Sequence, residues 1–78
     1  MSDTSIDKIY DTLRKRLIEA RKASGLSQEK LAQKAGLDRS HIGFIEQAGK
    51  QQRKPTISTL HKLSAALNIS LEKLFKGL

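Results

Sequence analysis

The stretch from Ser27 to Gln47, SQEKLAQKAGLDRSHIGFIEQ, compresses two helix signatures around a single glycine, and little else in the chain constrains its fold so tightly. Ser27 can cap a helix that Gln28 opens, because its hydroxyl accepts a backbone N–H left unpaired in the first turn. Glu29 lies where the helix dipole favours an anion. Leu31, Ala32 and Ala35 recur at helical spacing and define one apolar face. Gly36 is free to take the left-handed backbone that ends a helix, and Leu37 is the hydrophobic residue that packs back onto it. Asp38 is the expected cap of a second helix, which buries Ile42 and Ile45. Arg39, Ser40, His41, Gly43 and Phe44 are left on faces that need not enter the core.

So few residues separate the apolar positions of these two helices that they must cross sharply, as in a helix-turn-helix, rather than stand apart. Around the pair, helical periodicity accounts for most of the chain. Residues 1–5 are polar and are expected to fray. Ile6, Ile9, Leu13, Leu17 and Ala20 then predict a long amphipathic helix to about Ser24, with Arg14, Lys15, Arg16, Arg21 and Lys22 on its polar face. A loop from Ala48 to Pro55 follows. Pro55 holds Lys54 out of helical geometry, and Thr56 is the expected cap of a fourth helix. Its buried stripe is predicted to be Ile57, Leu60, Leu63, Ala66 and Leu67. Asn68 can end that helix, and Ser70 can cap a short fifth one with Leu71, Leu74 and Phe75. No strand alternation, repeat or low-complexity run is present, so the expected fold is all-α: a compact five-helix unit over residues 6–78, with the helix-turn-helix at helices 2 and 3.

The run from Gly25-Leu26-Ser27-Gln28-Glu29 through Gly36-Leu37-Asp38-Arg39-Ser40 to Ile42 and Ile45-Glu46 resembles the Cro/repressor-type helix-turn-helix family, also called Xre. The likeness extends over roughly residues 13 to 75. Within the family, the short length and the run Leu37-Asp38-Arg39-Ser40-His41-Ile42 resemble the controller proteins of restriction-modification systems most. The resemblance implies a DNA-binding transcriptional regulator whose second motif helix, about residues 38–47, enters the major groove.

Composition agrees with a polyanionic partner: 15 Lys and Arg stand against 8 Asp and Glu, a net charge of +7. Solvated lysines also serve solubility, so placement matters more than the sum. Arg39, Lys50, Arg53 and Lys54 all fall at or just beyond the second motif helix. With 78 residues and no cysteine, the chain has neither a disulfide framework nor a thiolate metal site. A chain this short buries only about 60 to 65% of its unfolded surface, so dimerisation is one remedy for marginal stability. No stretch approaches the roughly 18 apolar residues of a membrane span, and the N-terminus lacks the apolar core of a signal peptide. The expected location is the cytoplasm. No metal, cofactor or small-molecule ligand is implied.

Arg39 opens the expected recognition helix, where its guanidinium can reach guanine O6 and N7 together, or else simply hold a phosphate. By resemblance, Ser40 and His41 meet bases or phosphates; the plainer reading of His41 is a surface histidine. Phe44 stands where the family usually has a polar or small residue. It can contact thymine methyls or tuck against the core edge, and Gly43 beside it would allow close approach to DNA. The resemblance assigns Gln28 to a phosphate at a helix N-terminus and to bracing the recognition residues with its amide; the plainer reading is a surface glutamine. It also implies a structural ion pair between Glu46 and Arg21. Lys50, Arg53 and Lys54 suit phosphates or a minor-groove insertion, although the loop carrying them is longer than the family pattern and can equally be a solvated excursion. Leu71, Leu74 and Phe75 are expected at a homodimer interface, since resembling proteins pair through the fifth helix, although core packing can use all three.

Two other functions compete. An antitoxin or anti-repressor would keep the fold and act by masking a protein partner. An enzyme is disfavoured, because His41 and His61 fall on different helices and no glycine-rich phosphate loop or metal-ligand cluster is present.

Overall fold

Three hydroxyl caps set where helices begin. In the computed structural model, which describes residues 4–48 and 54–78, Ser27 Oγ accepts from the Lys30 N–H at 3.1 Å. Thr56 Oγ1 likewise accepts from Thr59 N–H at 3.2 Å, and Ser70 Oγ from Lys73 N–H at 3.0 Å. Each bond satisfies a donor that its helix cannot pair internally. The helices are α1 (Thr4–Ala23), α2 (Gln28–Ala35), α3 (Arg39–Glu46), α4 (Ile57–Leu67) and α5 (Leu71–Phe75), and no strand occurs among the described residues. The all-helical, five-helix fold read from the sequence is the one observed.

Two helices end the same way. Gly36 (φ 71°) and Asn68 (φ 59°) both take the left-handed conformation. The next residue then folds its N–H back onto the previous turn, Leu37 to Ala32 O at 2.8 Å and Ile69 to Ser64 O at 2.9 Å. This wrap turns the chain sharply from α2 into α3. Asp38 departs from expectation: its backbone is extended, as a cap requires, but its carboxylate accepts no hydrogen bond from α3. The backbone carbonyl of Asp38 makes the junction instead, accepting from His41 N–H at 3.0 Å.

Every helix contributes to one core: Leu13 and Leu17 from α1, Leu31, Ala32 and Ala35 from α2, Ile42 and Ile45 from α3, Leu60, Leu63 and Leu67 from α4, Leu74 from α5. One expected core position is corrected. Ile57 is 65% exposed, because it lies at the N-terminal end of its helix, away from the turns that meet the other helices. On α4 the inner stripe includes Ser64 instead, whose hydroxyl donates to His61 O at 2.9 Å and is thereby satisfied without water.

Candidate nucleic-acid interface

Helix α3 is two-sided. At 3.6 residues per turn, Arg39, Ser40, Gly43 and Phe44 share the arc opposite Ile42 and Ile45. Ile42 and Ile45 are sealed inside, whereas Arg39 and Ser40 are exposed, Phe44 is 37% exposed, and His41 and Gly43 are half-buried on the flanks. A Cβ built on Gly43 meets nothing within 4 Å, so no packing inside the chain calls for glycine at that position. The outward face thus combines a guanidinium, a hydroxyl, a bare backbone and an aromatic ring.

Behind this face, side chains from α1 and α2 converge on Glu46, the last residue of α3. Arg21 of α1 donates from Nε to Glu46 Oε2 at 2.7 Å and from Nη2 to Oε1 at 3.0 Å, while its Nη1 donates to Leu26 O at 2.9 Å. Gln28, opening α2, donates from Nε2 to Glu46 Oε1 at 3.0 Å. The side chains of Arg21 and Glu46 are only 12% and 7% exposed. A fork-shaped donor on both oxygens of a carboxylate is a strong and directional pairing, and it locks α3 against α1. The structure therefore brings together Arg21, Glu46 and Gln28, although their separation in the chain hides the cluster from any local pattern.

The other arginines of α1 also act inward rather than standing on a solvated face. Arg16 Nη1 donates to Leu74 O at 2.8 Å, fastening α5, and Arg14 Nη1 reaches Glu46 O at 3.5 Å. Arg14 also binds Asp11, as does Lys15, at 2.9 and 3.2 Å. The Arg14 hydrogen bond, followed by that of Lys15, holds the Asp11 carboxyl below its ordinary pKa. Periodicity marked these arginines only as polar-face residues, and nothing in their spacing announces a carbonyl partner.

Of the loop cations, Lys50 and Arg53 lie outside the described residues. Lys54 is paired with Asp7 at 2.9 Å and stands 5.8 Å from the centre of the Tyr10 ring, so it rests on the N-terminal turns of α1. At the opposite end, α5 corrects one expected interface residue. Leu74 is 1% exposed and belongs wholly to the core, which leaves it no surface for a partner; Leu71 and Phe75 are half-buried against that core. Among the described residues no three His, Cys, Asp or Glu side chains gather as a metal site, and no helix is long and apolar enough to cross a membrane.

Known proteins resemble this chain in sequence and in fold. The helix-turn-helix family matches residues 17–74. The crystal structure of the restriction-modification controller protein C.AhdI from Aeromonas hydrophila superposes with a TM-score of 0.73 at 44% identity, covering 82% of this chain and 92% of that one. The control protein C.SmaI of Serratia marcescens is 38% identical over 73 residues, 94% of this chain and 83% of its own. The transcriptional regulator PuuR of Escherichia coli is 44% identical over 61 residues, but this chain spans only 31% of its length. The chain belongs to the helix-turn-helix family of DNA-binding transcriptional regulators, which are not enzymes. Within it, the protein is of the controller type, with C.SmaI and C.AhdI as similar members.

Proposed function

We propose that the protein acts as a homodimer on a pseudo-palindromic operator, each subunit laying α3 in the major groove. The observation that carries this reading is the division of α3 into a sealed face and an outward one bearing Arg39, Ser40, Gly43 and Phe44. In the groove, Arg39 pairs with a guanine edge, Ser40 and His41 meet bases, and Phe44 packs on thymine methyls. The open Gly43 lets the helix backbone come close. Gln28 bonds a phosphate at the start of α2, and Lys50, Arg53 and Lys54 supply further phosphate contacts, Lys54 by leaving Asp7. Leu71 and Phe75 on α5 form the subunit contact. A single recognition helix reads too few base pairs to find one genomic site, whereas two related by a dyad read half-sites about 34–36 Å apart.

Selecting bound duplexes from a random pool tests the reading directly. A symmetric site with that spacing is expected. Its affinity should fall by roughly 0.9 log units per log unit of salt for each phosphate neutralised. An asymmetric single half-site overturns the dimer, and a flat salt titration overturns the DNA-binding mode.

A further inference from the structure

We propose that Glu46 is a positioning residue for DNA binding as well as the partner of Arg21: it holds the Gln28 amide in the orientation that meets a phosphate. This rests on the phosphate role given to Gln28 above. The geometry is specific. Glu46 Oε1 receives Arg21 Nη2 and Gln28 Nε2 at 3.0 Å each, and Oε2 receives Arg21 Nε at 2.7 Å. A carboxylate only accepts hydrogen bonds, so it admits the NH2 end of the glutamine and rejects the carbonyl end. The flip of the amide is therefore decided by chemistry. One N–H of Gln28 is spent on Glu46, and the second remains as a donor at the opening of α2.

A glutamine loose on a surface must give up rotamer freedom when it binds, which weakens the contact it makes. Gln28 has already given it up, because Glu46 is itself clamped by a guanidinium from α1 and is nearly closed to water. The chain Arg21, Glu46, Gln28 runs from α1 through the end of α3 to the start of α2. It thus sets the register between the base-reading helix and a backbone contact.

The test is a double-mutant cycle of Gln28→Met and Glu46→Gln, titrated by fluorescence anisotropy against a labelled duplex carrying the selected site, at a temperature where circular dichroism shows every variant folded. Gln28→Met should weaken binding about tenfold, the scale of one hydrogen bond to a charged group. Because glutamine is neutral, the salt slope should not change. Glu46→Gln lets the facing amides pair in either flip and should weaken binding about fivefold. In the Gln28→Met background the same change should cost less than about twofold, since coupled residues are not additive. Wild-type affinity for Glu46→Gln, or losses that multiply, overturns the proposal. Wild-type affinity for Gln28→Met removes the phosphate role itself and the proposal with it.

A second measurement needs no variant to fold. In the free wild-type protein, the side-chain amide of Gln28 should relax like rigid backbone, with an order parameter near ~0.85, whereas the exposed Gln33 amide should fall below about 0.6. Equal mobility of the two overturns the proposal.

Discussion

Glu46 and Asp11 are both carboxylates held by arginines of α1, yet they live in different solvents. Glu46 meets Arg21 where both side chains are nearly closed to water, across 25 positions of sequence. Asp11 meets Arg14 and Lys15 within one turn of its own helix, on a surface where its side chain is 46% exposed and that of Lys15 is 64% exposed. Water screens the second cluster and competes for it. In the first, the desolvation cost of both charges is already spent, and each depends on the other to offset it. The contrast teaches that an ion pair near the recognition helix matters through what is stranded when half of it is removed.

Breaking the buried pair should give the largest effect. Glu46→Ala leaves the Arg21 guanidinium buried without its carboxylate, and a loss of about 3–5 kcal/mol is expected. In a domain of this size that lowers the thermal midpoint by well over ~10 °C. A melt as mild as that of Asp11→Asn would erase the distinction between the two sites. Next comes Arg16→Met, which keeps much of the apolar stem but deletes the 2.8 Å bond to Leu74 O. Urea denaturation should show about 1.5 kcal/mol less stability, since a charged donor on a carbonyl is intermediate between a surface pair and a buried one.

The smallest effect belongs to Asp11→Asn, which should lower the thermal midpoint at pH 7 and 0.15 M salt by much less than Arg16→Met does. Its sign can still be read by pH. Arg14 and then Lys15 lower the folded pKa below the ordinary carboxylate value, so any stability from Asp11 is fully present above that ordinary value. It is lost as pH falls through the folded pKa. The difference between wild type and Asp11→Asn should therefore shrink on acidification and vanish below the folded pKa; a difference that widens in acid contradicts the assignment.

The local grammar was legible for good reason. Ser27, Thr56 and Ser70 act as caps because a side-chain oxygen one residue ahead of a helix reaches unpaired N–H groups whatever the rest of the chain does. Gly36 and Asn68 end their helices because few residues tolerate positive φ. Where the reading erred, it extended a periodicity beyond the core. Ile57 has the right spacing for the α4 stripe, but a stripe is buried only as far as another helix covers it. Leu74 likewise carries no mark that separates a core leucine from an interface leucine, and the difference lies in the fit of α5 against α1 and α4. The outward face of α3 was legible because Ile42 and Ile45 fix its inward side, whereas the carbonyl partners of Arg14 and Arg16 and the carboxylate partner of Gln28 were not.

By itself, the sequence determined five helices, the hydroxyl caps of α2, α4 and α5, the turns, a basic chain and the side of α3 that turns outward. These follow from interactions within about four residues, where backbone geometry leaves few choices. Tertiary structure alone decided that Arg14 and Arg16 turn inward, that Lys54 rests on Asp7, and that Gln28 joins Arg21 on the Glu46 carboxylate. Those outcomes depend on distances between helices that meet only after the core has closed, and a long charged side chain can satisfy local spacing equally well in water or on a neighbouring helix.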